Sequence, residues 1–150
     1  MESTERIVVG IDGSEYSPAP LRLAGRFAAA LGAPLEVITC VGLSDYYLPA
    51  HLSRVSDEVA TQLEEVAARL VDQAIDTAFG QDRPPRLSTT VKFGTPAKVL
   101  VEESKDAQLL IVGRRGHGGF LNQVIGSVSS ACAAHAFCPV VVVGQESGER

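Results

Sequence analysis

The sequence LLIVGRRGHGGFLNQVIGSVSS, Leu109 to Ser130, contains a predicted strand, loop and helix start in direct succession. Its apolar start, Leu109 to Val112, predicts a buried strand, and four glycines follow within the seven residues 113–119. A fifth glycine, Gly126, stands directly before a serine-rich helix start. Glycine is favoured where a backbone takes positive φ or where another group approaches closely. The stretch therefore predicts a strand, a glycine-rich loop and a helix whose first turn faces something close by.

The rest of the chain repeats this alternation of short apolar runs with longer segments of helical period. Four helices are predicted between five strands, and the predicted strands are Ile7–Ile11, Leu35–Val41, Leu87–Phe93, Leu109–Val112 and Pro139–Val143. Nearly continuous apolar strands separated by helices are typical of a parallel sheet covered on both faces. We expect one α/β domain over residues 1–150, a three-layer, doubly wound, Rossmann-like fold with strand order 3-2-1-4-5.

Composition narrows the class of protein. The 150 residues are 45% hydrophobic and 21% charged, as in soluble globular proteins. A formal net charge of -5 argues against a general nucleic-acid surface, and from the acidic, polar start and the short apolar runs we expect neither a signal peptide nor a membrane span. Three cysteines without a C-x-x-C pair favour a reducing compartment, so we expect a cytoplasmic protein.

Several helix boundaries are also predicted. Ser17 is a candidate N-cap with Pro18 at the first helical position, and the last helix is expected from Ser127 to Ala136. A long helix after residue 56 or 57 carries a periodic apolar stripe formed by Val59, Leu63, Val66, Leu70 and Ala74. Residues 42–57, which include Tyr46, Tyr47 and His51, form a long connection that is either a functional loop or a mobile one.

The glycine-rich stretch has the composition of an anion site. A helix N-terminus carries unpaired N–H groups and a partial positive charge, which favour phosphate. Gly113, Gly116 and Gly126 would let backbone amides reach an anion, and Ser127 and Ser129 would add hydroxyl donors. Arg114, Arg115 and His117 supply positive charge nearby. The alternative is an ordinary loop followed by a capped helix.

The spacing G-x2-G-x9-G-S over residues 113–127 resembles the nucleotide-binding motif of the universal stress protein family, G-x2-G-x9-G-[S/T]. IVVGIDGSEYS (7–17) resembles the family's first strand and turn, and HAFCPVVVVG (135–144) its last strand. The resemblance implies an adenine nucleotide alpha hydrolase-like fold that binds ATP or a related adenine nucleotide.

The resemblance also implies which residues bind the nucleotide. These are Gly10, Asp12, Val41, Val112, Gly113, Arg115, Gly116, Gly126, Ser127, Val128 and Ser129. The glycines and serines would line the ribose and phosphates, whereas the backbone of Val41 would meet the adenine edge. Asp12 would lie near the ribose or hold Mg²⁺ of a metal-nucleotide complex; its alternative role is a turn-forming Asx residue.

Binding is expected rather than catalysis, since the sequence lacks a P-loop, a G-x-G-x-x-G fingerprint and the S-G-G-x-D-S pattern of pyrophosphate-cleaving relatives. The resulting hypothesis is a nucleotide-dependent sensor or regulator in a stress response. Cyclic AMP is a variant ligand, and a non-nucleotide interaction protein or a slow ATPase are the alternatives. Because an unprotected apolar edge strand invites pairing, we also expect a homodimer through Val140–Val143. The resemblance implies the same, since the family's dimers usually pair their terminal strands antiparallel.

Overall fold

The helices and strands follow one another in the order predicted from the sequence. The structure is a computed structural model that describes residues 5–42, 57–114 and 126–144. Its elements are β1 (Ile7–Ile11), α1 (Pro18–Leu31), β2 (Leu35–Val41), α2 (Asp57–Phe79), β3 (Leu87–Phe93), α3 (Pro96–Glu103), a 3-10 turn (Ser104–Asp106), β4 (Leu109–Gly113), α4 (Ser127–His135) and β5 (Val140–Val143).

The five strands form one parallel sheet in the order β3-β2-β1-β4-β5. Gly10 is in register with Val112 across β1 and β4, and Val112 is in register with Val142 across β4 and β5. The predicted α/β class, doubly wound topology and strand order are confirmed, and β3 and β5 are the edges. No side chain of β3 or β5 is fully buried, as expected for edge strands.

Helices cover both faces of the sheet and enclose two hydrophobic cores. The first core lies under α1 and α2; its largest members include Ile7, Leu21, Leu35, Ile75 and Ile111. The second lies under α3 and α4 and contains Val8, Ile38, Leu100, Leu110, Val112 and Cys132. Odd-numbered residues of β1 and β4 enter the first core and even-numbered residues enter the second, which is the two-residue alternation of strands buried on both sides.

The cysteines belong to the second core as apolar filler, and all three are free thiols. Cys132 is fully buried, whereas Cys40 and Cys138 are half-buried beside that core. Burial raises the pKa of both Cys40 and Cys132 to about 11. Both thiols are therefore protonated at neutral pH.

Two helix boundaries differ in detail from the prediction. Ser17 occupies the N-cap position and Pro18 begins α1, but the backbone of Ser17 is already helical and its hydroxyl makes no capping hydrogen bond. The hydroxyl donates instead to the Asp12 carboxylate. Helix α4 ends at His135, one residue early, because Ala136 turns to an extended conformation.

The apolar stripe predicted along α2 is buried only in part. Ala74 is in the first core, but Val59, Val66 and Leu70 each expose more than 40% of their surface. Helical periodicity therefore identified the helix correctly, but only part of its apolar stripe faces the core. Leu70 lies against Gly13, in the turn that follows β1.

Gly10 owes its identity to the packing of α3 on the sheet. A Cβ atom at this position would lie 2.6 Å from Cδ1 of Leu100 and 3.3 Å from its Cγ. Leu100 is itself 4% exposed and has little room to shift. The absence of a side chain at Gly10 thus lets α3 approach β1 closely.

We expect Gly10→Ala to lower the free energy of unfolding by about 1–3 kcal/mol through overpacking, and Leu100→Ala to lower it by about 2–5 kcal/mol through a cavity. In the double variant the new methyl group enters the vacated space, so adding Gly10→Ala to Leu100→Ala should be neutral or stabilising. Urea unfolding of the four proteins measures this coupling. Additive losses would show that the contact does not determine the residue at position 10.

An ion cluster ties the amino end of β1 to β2, β3 and α3. Arg6 binds the carboxylates of Glu36, Glu103 and Asp106, at 2.8 Å for Glu103 Oε1 and 2.6 Å for Asp106 Oδ1, and Lys92 lies 2.7 Å from Glu103 Oε2. Burial acts to raise the pKa of the Glu103 carboxyl, but hydrogen bonds from Lys92 and Arg6 outweigh it, so this pKa lies below its ordinary value.

A lowered folded pKa means that Glu103 contributes stability above its unfolded pKa of about 4.3, and that this contribution is lost as the pH falls through the folded value. Glu103→Gln should therefore cost about 1–3 kcal/mol at neutral pH, and the gap from wild type should narrow below about pH 4. Glu102→Gln is the matched control, because Glu102 is exposed and pairs with the surface residue Lys105. Urea unfolding across pH measures both; a gap independent of pH would contradict the assignment.

Candidate functional site

The predicted site lies at the end of the sheet where the neighbouring parallel strands β1 and β4 both finish. Asp12 follows the last residue of β1 and Arg114 follows the last residue of β4. From β1 the chain passes to α1 on the first-core face, whereas from β4 it passes to α4 on the opposite face. Such a reversal opens a crevice at the carboxyl ends of the strands, where open parallel sheets bind ligands.

The glycine-rich loop begins and ends at a single point. Arg114 N donates to Val143 O at 2.7 Å, and Gly126 N donates to Arg114 O at 3.0 Å. Residues 114 and 126 are therefore in direct contact although eleven residues separate them in sequence. A Cβ at Gly126 would lie 3.2 Å from the Arg114 carbonyl oxygen, which is a tight contact. Packing against the chain's own backbone therefore favours glycine at this position.

Helix α4 begins at this contact, and its first turn faces the carboxyl ends of the strands. Gly126 is the N-cap in extended conformation, and no described side chain makes the capping hydrogen bond. The first N–H groups of a helix have no intrahelical acceptor, so this end is suited to an anion. Ser127 is exposed, Val128 packs against the second core, and Ser129 is buried.

The Ser129 hydroxyl has a structural partner. It donates to Gly126 O at 3.1 Å, which stabilises the first turn of α4. Its single O–H is thus used within the helix in this structure, and its role as a donor to a ligand stays a prediction. The Ser129 N–H is one of the first N–H groups of α4, which have no acceptor within the helix.

Asp12 organises the turn between β1 and α1. Its Oδ1 accepts from Ser14 N at 2.9 Å and from Ser17 Oγ at 3.3 Å, an Asx turn of the kind weighed as the alternative to ligand binding. Gly13, inside this turn, has φ +77°, where a side chain would be strained. A carboxylate offers about four acceptor positions, and these two hydrogen bonds fix the Asp12 side chain at the end of β1.

Three further predicted residues are buried near the carboxyl ends of β1, β2 and β4. Gly10 and Val112 are buried and paired across β1 and β4, and the Val112 side chain is in the second core. Val41 is buried at the end of β2, and its carbonyl accepts from Gly94 N at 2.9 Å. The Val41 and Val112 side chains therefore belong to the fold.

The remaining predicted positions lie outside the described residues. These are Arg115, Gly116 and His117 of the loop, and Tyr46, Tyr47 and His51 of the connection after β2. Among the sequence-predicted site residues, the structure brings together Gly10, Asp12, Val112, Gly113, Gly126, Ser127, Val128 and Ser129 around the ends of β1 and β4.

The Arg114 side chain is a feature that sequence reasoning missed. A Cβ at Gly144 would lie 3.3 Å from both Cζ and Nη2 of Arg114 and 3.5 Å from Nη1. These nearly equal distances mean that the guanidinium lies flat against the end of β5. Its Nε is buried and has no hydrogen-bond acceptor among the described residues. The sequence feature that could have indicated this contact is Gly144, a glycine directly after the terminal strand, where a side chain would crowd the guanidinium.

Within residues 5–42, 57–114 and 126–144, no helix combines the length and apolar character of a bilayer span. The same residues contain no group of three or more histidine, cysteine, aspartate or glutamate side chains that could hold a metal ion.

A doubly wound sheet with a helix N-terminus at its switch point defines a class of phosphate-binding α/β proteins. Comparison with known proteins identifies the family to which the chain belongs. The sequence profile of the universal stress protein family matches residues 3–144, so the chain belongs to the universal stress protein family.

Individual relatives agree with the family assignment. Universal stress protein Rv2623 of Mycobacterium tuberculosis is 32% identical over 145 residues, which are 93% of this chain and 48% of the relative. The chain thus spans about half the length of the curated relatives it matches. The universal stress protein UspA from Lactobacillus plantarum superposes with a TM-score of 0.73 at 25% identity, covering 92% of this chain and 96% of UspA. A universal stress protein solved in complex with cAMP has a TM-score of 0.63 at 27% identity and covers 93% and 95%, respectively.

The Asx turn can be tested separately from ligand binding. Asp12→Ala removes the acceptor of two hydrogen bonds and should lower the free energy of unfolding by about 1 kcal/mol. Asp12→Asn retains a carbonyl oxygen and should cost less. Glu15→Ala, an exposed acid of the same turn, serves as the control in urea unfolding. Equal effects of Asp12→Ala and Glu15→Ala would contradict the turn-forming role.

Proposed function

We propose that this chain binds an adenine nucleotide, ATP in the first instance, at the carboxyl ends of β1 and β4. It would act as a nucleotide-dependent regulator or sensor in a stress response. The observation that carries the proposal is the contact between Arg114 and Gly126, which directs the first turn of α4 to the switch point of the sheet. The spacing G-x2-G-x9-G-S begins and ends around that contact.

The described residues fit a phosphate group. The α4 N-terminus offers backbone donors with no described side-chain cap, and Gly126 leaves open the space that a Cβ would occupy beside it. Gly113 ends β4 without a side chain at the mouth of the crevice. The phosphates would lie here, with Ser127, Val128 and Ser129 contributing mainly their N–H groups.

The remaining roles follow the family resemblance. Arg115 and Gly116 would complete the phosphate loop, and Asp12 would accept from ribose hydroxyls or hold Mg²⁺ that accompanies the nucleotide. The backbone at Val41 would meet the adenine edge. Since the Val41 carbonyl already accepts from Gly94 N, contact with the base would use its second lone pair.

Cyclic AMP is the competing ligand, because a relative 27% identical to this chain was solved in complex with it. Both ligands share the adenosine and at least one phosphate. They differ in that ATP carries two further phosphates for the loop and for Mg²⁺. A titration series of ATP, ADP, AMP and cAMP, each with and without Mg²⁺, therefore separates them.

We infer binding without rapid turnover as the mode of action, in a cytoplasmic protein. A slow ATPase is tested by following ADP release under saturating ATP. Release that disappears in Asp12→Asn would establish the enzyme instead. Binding with no turnover would establish the sensor.

The binding test is calorimetric titration of the wild type and a Gly113→Ala, Gly126→Ala double variant. We expect saturable binding in the wild type and a loss of at least tenfold in affinity, about 1.4 kcal/mol, in the variant. Added methyl groups would obstruct the phosphates, and the one at position 126 would also crowd the Arg114 carbonyl.

Gly32→Ala is the matched control, because a side chain is also unfavourable at Gly32, whose φ is +60° at the end of α1. Gly32 lies just before β2 begins, at the amino ends of the strands and thus away from the proposed site. The variant should lower stability yet leave nucleotide affinity unchanged. Absence of binding to folded wild type, after removal of copurified nucleotide, would overturn the proposal and favour a protein that acts through its interaction surface.

We further propose a homodimer in which β5 pairs antiparallel with β5 of a second copy. Val141→Lys places a charge in the middle of this edge and should yield monomers in analytical ultracentrifugation. Ser88→Lys puts the same charge on an exposed position of the opposite edge strand, β3, and should leave the dimer intact. An unchanged mass for Val141→Lys would contradict pairing through β5.

A further inference from the structure

The two ends of β5 carry groups of complementary chemistry. At the carboxyl end, the Arg114 guanidinium lies flat on Gly144 with its Nε buried and without an acceptor among the described residues. Guanidinium groups stack on aromatic rings as well as on backbone. This end of the edge strand therefore presents a cation suited to an aromatic partner.

At the amino end of the same strand, Phe137 exposes 65% of its surface. The segment is held in place because Phe137 N donates to Ser104 Oγ at 2.9 Å. Lys105 Nζ lies 5.3 Å from the ring centroid, so the ring already accepts one cation. A fixed, exposed aromatic ring beside an edge strand is typical of a residue covered in an interface.

Both groups lie on the same face of the sheet. Val140 and Val142 pack against the second core, and Gly144 continues that alternation along β5. Ser104 and Lys105 follow α3, a helix of the second-core face, so the Phe137 ring lies on that side as well.

A two-fold axis perpendicular to the sheet would bring these ends together. Antiparallel pairing of β5 with itself about Val141 sets Val142 opposite the partner's Val140 and Gly144 opposite the partner's Cys138, so that opposed side chains lie on the same face. Paired strands lie about 4.8 Å apart, and the two second-core faces would lie on the same side of the continuous sheet. The cation of each copy would then face the aromatic end of the other.

We propose that the Arg114 guanidinium of each copy stacks on Phe137 of the partner subunit, so that two symmetric cation–π contacts flank the paired β5 strands. The occupant of this edge is a second copy of the chain, because the strand is complementary to itself in the antiparallel sense: cation at one end, ring at the other, valines between. The inference rests on the strand-paired dimer of the proposed function.

The contact also ties the interface to the nucleotide site. Arg114 supplies both the carbonyl that closes the loop at Gly126 and the guanidinium on β5. A displacement of the Arg114 backbone would therefore move the carbonyl at the nucleotide site and the guanidinium at the dimer interface together. Arg114 acts here as a positioning residue.

The test mixes two variants, Arg114→Gln and Phe137→Leu, with one of them isotopically labelled. Each variant homodimer lacks both cross-subunit contacts. The heterodimer keeps one intact contact, formed by the arginine of the Phe137→Leu chain and the ring of the Arg114→Gln chain. At equilibrium, native mass spectrometry should show the ratio of heterodimer squared to the product of homodimers raised roughly 5- to 30-fold above its statistical value.

Conservative variants serve as matched controls. Arg114→Lys keeps a cation and Phe137→Tyr keeps a ring, so mixing these two should give nearly statistical populations. Lys105→Gln, added to the Arg114→Gln chain, removes the cation that contacts the ring within one chain and should leave the heterodimer preference with the Phe137→Leu chain unchanged.

The outcomes separate this inference from the dimer itself. If the wild type is monomeric, both the strand-paired dimer and the contact are wrong. If the wild type is dimeric and Val141→Lys dissociates it, but the two variants mix statistically, the dimer stands and the contact is overturned. Folding of each variant is followed by circular dichroism; Arg114→Ala replaces an Arg114→Gln chain that does not fold, and Phe137→Ala replaces a Phe137→Leu chain that does not fold, and the same preference is expected because each removes the cation or the ring.

Discussion

Parallel pairing between β1 and β4 is the constraint on which the site depends. It aligns Gly10 with Val112, so that both strands end at one edge while their following helices leave to opposite faces. The turn after β1 and the first turn of α4 consequently face a common crevice. Had β4 paired elsewhere, the same glycines and the same carboxylate would lie far apart.

Much of this fold was predictable because strands buried on both faces are nearly continuous in apolar residues. Ile7–Ile11 and Leu109–Val112 have that character, and both are central in the sheet. Periodicity was less informative for α2, since an apolar stripe identifies a helix but not how far its partner surface extends. Val59 and Val66 are accordingly exposed.

The candidate site was predictable in position more than in the role of each residue. Glycine spacing located the loop, yet a missing side chain serves a ligand and the chain's own backbone equally well. Gly126 adjoins the Arg114 carbonyl and Gly10 adjoins Leu100, contacts that depend on residues distant in sequence. Hydroxyl and carboxylate groups pose a similar ambiguity: Ser129 and Asp12 both bond to nearby backbone, which local sequence alone does not distinguish from binding a ligand.

The buried thiol of Cys132 has a consequence for how the protein opens. Alkylating reagents attack the thiolate, and this thiol is both inaccessible and, with a pKa of about 11, protonated at neutral pH. Its reaction therefore requires α4 to separate from the sheet. Because α4 also presents its first turn to the crevice, the alkylation rate of Cys132 is a native reporter of how often that wall of the crevice detaches.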